Sequence, residues 1–154
     1  MIWIQDTNDA LKPRKKPYPL SHQTRILKKV EILLEKEFEK NQNIEEILIF
    51  GSILNGTFGI YEKPTRNGRL GSDIDVLIIV NNNFETNWTL LGKYPGSNKY
   101  LLGSIEDKHW IQVLTYNPNK YDYKDALNMG MPITKERRKK AKVLFRRRKG
   151  GRGN

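Results

Sequence analysis

Cysteine is absent from this chain, which excludes disulfides, a thiolate nucleophile and a thiolate metal site. Histidine is nearly absent. His22 and His109 have no second ligand at metal-binding spacing, so a zinc site is not expected. No stretch approaches the roughly 18 consecutive apolar residues of a membrane span, so no membrane association is expected. The opening "MIWIQDTNDALKPRKK" places its apolar residues before its basic ones, the reverse of a secretory signal. These absences together lead to the expectation of a cytoplasmic protein.

Acidic side chains are missing from one region only. Residues 135–154, "KERRKKAKVLFRRRKGGRGN", hold eleven Lys/Arg against one Glu, a net +10. The whole chain carries +11, so residues 1–134 are close to neutral at +1. Such a block suits contact with phosphate backbones, and it equally suits a solvated terminus. Both readings stay open from the sequence.

What is present is enough for one hydrophobic core. The 154 residues are 37% hydrophobic and mix helical with strand-like patterning, which points to a globular α/β or α+β domain. Residues 1–20 end in "KPRKKPYPL", whose prolines favour an extended arm. Ile26, Val30, Leu33, Leu34 and Phe38 then recur at helical spacing, predicting a helix over about 22–40 with Ser21 as its N-cap. "IEEILIF" (44–50) reads as a strand running into Gly51-Ser52, and a second strand is expected over 73–80. "KYLLGSI" and "HWIQVLTY" fit a hairpin closed by "EDK" at 106–108. "NPNKYDYKDALNMG" suggests a turn and a short helix, and the tail suggests a last basic helix with Thr134 as N-cap. The division is an arm over 1–20, a domain over 21–134 and a basic helix or tail over 135–154.

The stretch "LGSDIDVLIIV" (70–80) sets Asp73 and Asp75 against a strand that reads as buried. On a strand, residues two apart share a face, so these like charges cannot spread apart. A divalent cation between them removes the repulsion, and Mg²⁺ takes a few carboxylate oxygens together with water and phosphate oxygens. Asp73 alone also fits a turn. Gly51-Ser52 ends the preceding strand, and such a small pair lets backbone N–H groups and a hydroxyl approach phosphate oxygens.

"ILIFGSILNG…GSDIDVLIIV" resembles the nucleotidyltransferase superfamily typified by DNA polymerase beta, and most of all its small, minimal members. The resemblance is carried by residues 44–80 and extends over about 22–116. It implies a short, twisted mixed sheet backed by helices, with Gly51 and Ser52 cradling the β/γ-phosphates of a nucleoside triphosphate. Asp73 and Asp75 would ligate Mg²⁺ (or Mn²⁺) and serve as the catalytic pair. The implied reaction moves a nucleoside monophosphate onto a hydroxyl acceptor on a protein, an RNA or a small molecule. A helical protein partner or a homodimer is also implied.

The chain departs from the family pattern in three places. Asn55 stands where small members often carry an Arg near the triphosphate, with Lys63, Arg66 and Arg69 as substitutes in the loop. Gln112 occupies the slot of a third carboxylate, and Glu106 and Asp107 could supply one only by folding back. "YEKPTRNGR" looks like an insertion forming a hairpin or lid. His109, beside a turn, reads as a surface residue or a base. The second-half aromatics (Trp88, Tyr94, Tyr100, Trp110, Tyr116, Tyr121, Tyr123) suit cross-strand pairs and core, with Trp110 on the face of Gln112 and Leu114. Two other functions stay open. One is a degenerate member that binds nucleotide or a partner without transfer. The other is a module that binds RNA or DNA through residues 135–154.

Overall fold

The computed structural model describes residues 13–65, 68–94, 97–120 and 140–147. They form a mixed α+β fold whose elements run β1 (Lys15–Pro17), α1 (Leu20–Lys40), β2 (Ile44–Phe50), α2 (Ser52–Asn55), β3 (Gly59–Tyr61), β4 (Ile74–Val80), β5 (Thr89–Tyr94), β6 (Ser97–Ile105), β7 (His109–Tyr116) and β8 (Lys142–Arg146). The main sheet has the order β5-β6-β7-β4-β2-β8, and β1 pairs with β3 in a separate two-stranded sheet. Within the main sheet only β4 and β7 run parallel, which makes it mixed. No helix among the described residues is long and apolar enough to cross a membrane.

Helix α1 forms where the apolar spacing predicts it and buries Gln23, Ile26, Val30 and Leu34. Fully burying a Val, Leu or Ile stabilises by about 1.5–3 kcal/mol, so this stripe is what holds the helix to the sheet. The expected N-cap, Ser21, lies inside the helix instead. The Pro19 carbonyl accepts from His22 N–H at 2.9 Å and Gln23 N–H at 3.1 Å, which starts the helix earlier with no side-chain cap. Buried Gln23 ties that start to the neighbouring loop, its Nε2 donating to the carbonyls of Tyr18 (2.9 Å) and Gly56 (3.0 Å).

Strand β2 has the predicted limits, and β4 begins one residue later than expected, at Ile74. Ile74, Val76, Ile78 and Val80 join the helix-side core, while Leu77 and Ile79 pack with Leu48, Leu114 and Tyr116 on the opposite face. A strand buried on both faces reads as an unbroken apolar run, which explains "VLIIV". The β6–β7 hairpin is present, with β5 added beyond it as a meander. Trp88 packs edge-on to Tyr100 with ring centroids 5.8 Å apart, in keeping with an aromatic cross-packing role.

The tail departs from expectation. Lys142–Arg146 is an edge strand antiparallel to β2, not part of a helix. Its register sets Arg146 opposite Glu46, and the guanidinium donates to Glu46 Oε2 from Nε (2.9 Å) and Nη2 (2.6 Å). A lone amphipathic reading of this basic stretch misses the pairing because the partner lies about a hundred residues earlier. The short helix expected after Asn117 and the Thr134 cap lie outside the described residues.

Candidate active site

The site is assembled where three strand ends meet. β2 and β4 run antiparallel, so the last residue of β2, Phe50, pairs with Asp75 near the start of β4. β7 runs parallel to β4 on its other side and brings Gln112 opposite Asp75. A row Leu101, Gln112, Asp75, Phe50 thus crosses four strands.

Gly51 follows Phe50 with φ 90° and ψ −156°, backbone that L side chains rarely adopt. A Cβ built there would lie 2.7 Å from Asp75 Oδ2. Glycine is therefore favoured by conformation, and a side chain there would push the Asp75 carboxylate aside. Ser52 opens the four-residue helix α2, and exposed Asn55 closes it. The structure thus brings Gly51, Ser52, Asp73 and Asp75, predicted from sequence alone, to one end of the β2–β4 pair.

The long loop between Ser52 and Asp73 doubles back as a hairpin. Tyr61 N–H donates to the Leu70 carbonyl (2.7 Å), Thr65 N–H to the Arg69 carbonyl (2.8 Å), and Ile60 bridges Gly71. Its return limb delivers Arg69 to the acid pair. Arg69 Nη1 donates to Asp73 Oδ2 at 2.5 Å. The Gln112 amide, oriented so that its oxygen faces donors, accepts from Arg69 Nη1 at 2.8 Å and Nη2 at 3.2 Å. The guanidinium carbon also lies over the Trp110 ring, 3.9 Å from its centroid. Of the loop cations, Lys63 is exposed and Arg66 lies outside the described residues, so Arg69 is the one placed at the site.

Burial pushes the Asp73 carboxyl above its ordinary value, against the opposing charge and hydrogen bond of Arg69 and the charges of Lys99 and His109. Its second oxygen, Oδ1, is buried with no hydrogen-bond partner. Tyr61 is likewise raised, by burial first and then by the charges of Asp73 and Asp75, so its phenol lies in the field of both carboxylates. Lys15, from β1, sets its ammonium 5.4 Å from the Tyr61 ring centroid. Tyr61, Lys15 and Lys99 carried no sequence signal for the site, because only tertiary pairing of β1, β3 and β6 brings them near it.

The other candidate carboxylates turn elsewhere. Glu106 and Asp107 take positive φ (54° and 57°) in the β6–β7 turn. Glu106 accepts from His22 (3.3 Å) and Lys29 (3.5 Å) on α1. Although desolvation acts against it, those two partners hold the Glu106 carboxyl below its ordinary value. Asp107 is exposed. His109 is neither at the surface nor at the acid pair. It is fully buried on the α1 side of the sheet, against Tyr18 and Phe58.

Among the described residues no three His, Asp or Glu side chains form a metal-holding group. The donor set present still suits one hard divalent cation. Two aspartates stand at one strand end, and one of them presents a buried oxygen that lacks a donor. Compared with protein-family models, with curated proteins and with solved structures, the chain matches none.

Proposed function

We propose that the chain is a metal-dependent nucleotidyltransferase of the DNA polymerase beta type, with Gly51 and Ser52 as its phosphate cradle and Asp73 and Asp75 as its metal ligands. The observation that supports it most is the antiparallel β2–β4 register, which joins the Gly51 turn to the Asp75 carboxylate. The orphaned Asp73 oxygen adds an acceptor in want of a cation. The α1–β2–α2–β4 order, with β7 beside β4, is also what such a fold would require.

In the reaction, an acceptor hydroxyl oxygen forms a bond to the α-phosphorus as the bond to the bridging oxygen breaks. Pyrophosphate leaves, and the hydroxyl proton passes to a carboxylate or to water. A bound divalent ion would supply neutralisation of the phosphate charge. The chain's own residues hold the carboxylates in place and keep the Gly51 turn free of side chain. The test is incubation with labelled nucleoside triphosphates, Mg²⁺ or Mn²⁺ and a cell extract. Label should pass to an acceptor, and Asp75→Asn should reduce the transfer at least about a hundredfold. Transfer unaffected by that change would refute the assignment.

A second reading is binding of nucleotide without transfer. Gln112 beside Asp75, and Glu106 engaged by α1, favour it, because an amide neither ligates Mg²⁺ well nor accepts a proton. Nucleotide binding with no label transfer to any component would select it. An RNA acceptor brought by the basic tail, and a helical partner or second copy, complete the proposal.

A further inference from the structure

If Asp73 and Asp75 hold a metal, as proposed above, the number of ions they can hold is constrained by Arg69. A two-metal centre needs several carboxylates to offset two divalent charges. The described residues supply two, and where a third would stand they supply the Gln112 amide. The gap between Asp73 and Gln112 is already spanned by a cation. Arg69 Nη1 bonds Asp73 Oδ2 at 2.5 Å, and the same guanidinium reaches the Gln112 oxygen at 2.8 and 3.2 Å.

Arg69 cannot lose its charge in this setting. Its side chain is 18% exposed, and its guanidinium carbon lies over the Trp110 ring, 3.9 Å from the centroid. Asp73, Asp75 and Arg69 together sum to −1, and the positive charge of Lys99 also acts on Asp73. A divalent ion entering between Asp73 and Gln112 would meet a like charge and a neutral ligand. On the opposite oxygen of the same carboxylate the situation reverses, because Asp73 Oδ1 is buried and has no donor. Gln112 fits this arrangement chemically. Its oxygen accepts from the guanidinium without adding a negative charge that would draw in another metal.

We infer that this is a one-metal site in which the Arg69 guanidinium, held by Asp73 and Gln112, takes the place of a second divalent ion. Arg69 is thus a positioning residue that sets metal stoichiometry.

The test counts protein-bound Mn²⁺ by electron paramagnetic resonance. The full chain is titrated in the presence of a non-hydrolysable nucleoside triphosphate analogue, with the analogue alone as reference. The wild type is expected to bind one ion per chain. Q112E alone should also bind one, since Arg69 pairs with the new acid. The double variant R69Q/Q112E removes the guanidinium and adds a carboxylate, and it should bind two. R69Q alone should bind its one ion about tenfold more tightly, a like charge having been removed. Circular dichroism melts establish that each variant folds, and if the double variant does not, the wild-type count still decides. Two ions on the wild type overturn the inference while leaving the nucleotidyl-transfer reading intact. No ion on the wild type, with or without the analogue, overturns both.

Discussion

His109 donates from Nδ1 to the Ser72 carbonyl at 2.8 Å, which leaves Nε2 to accept the Tyr18 hydroxyl at 2.8 Å. The neutral ring is thereby satisfied at both nitrogens, and Gly71 makes the packing feasible, since a Cβ there would lie 2.5 Å from Nδ1. Burial holds the His109 pKa below its ordinary 6.5, with the Ser72 hydrogen bond acting the other way. Between the lowered folded value and 6.5 the unfolded chain binds more protons than the folded one. Stability therefore rises with pH across that interval and is lost as pH falls through it. Urea unfolding at pH 7.5 and 5.5 should show a lower midpoint at the acid pH, and H109F should flatten the difference. Asp73 has a raised pKa and slopes in the opposite sense, above its ordinary 3.8, so its contribution opposes that of the histidine rather than adding to it.

Helix α1 and strand β8 are coupled through one side chain. Arg147, just after β8, donates from Nε to the Ile44 carbonyl (2.7 Å) and from Nη2 to the carbonyls of Asn41 (2.9 Å) and Phe38. Its guanidinium carbon lies 4.0 Å from the centroid of the Phe38 ring. A cation on the carbonyls at a helix C-terminus, here those of Phe38 and Asn41, complements both their hydrogen bonding and the helix dipole. Arg147→Ala should destabilise the fold by about 1.5–3 kcal/mol, the range for hydrogen bonds to a charged group, measured by urea denaturation. Arg147→Lys keeps the charge without the fork and should fall between the two. A loss below about 0.5 kcal/mol would show the contact to be a surface one.

At the scale of the whole molecule, the basic block is built partly into the fold. Arg146 and Arg147 are engaged by Glu46 and by the end of α1, so part of the tail's charge is structural. Deleting residues 135–154 would remove β8 together with any nucleic-acid contact, and would confuse the two. A cleaner variant replaces Arg137, Arg138 and Lys139 with Gln and keeps Lys142 to Arg147. If the tail binds nucleic acid, the slope of log K against log salt should shrink by about 0.9 per lost contact on duplex DNA, or about 0.7 on single strands. An unchanged slope would remove these three residues from any nucleic-acid interface.

By itself the sequence determined the elements whose signals are local. The apolar stripe of α1, the continuous apolar runs of β2 and β4 and the turn at 106–108 each arise from neighbours within a few residues. It also singled out Gly51, Ser52, Asp73 and Asp75, because a small pair at a strand end and acids against a core strand conflict with local propensity, and Gln112 only through the family resemblance. Only the tertiary structure decided what those residues face. Arg69 reaches Asp73 because the loop before β4 folds back on itself, and Gln112 stands opposite Asp75 because β7 docks parallel to β4. The tail becomes a strand because β2 offers a free edge, and Glu106 turns to α1 because His22 and Lys29 wait there. Pairings between distant parts of the chain are set by hydrogen-bond register and charge partners, and neither is written in the spacing of adjacent residues.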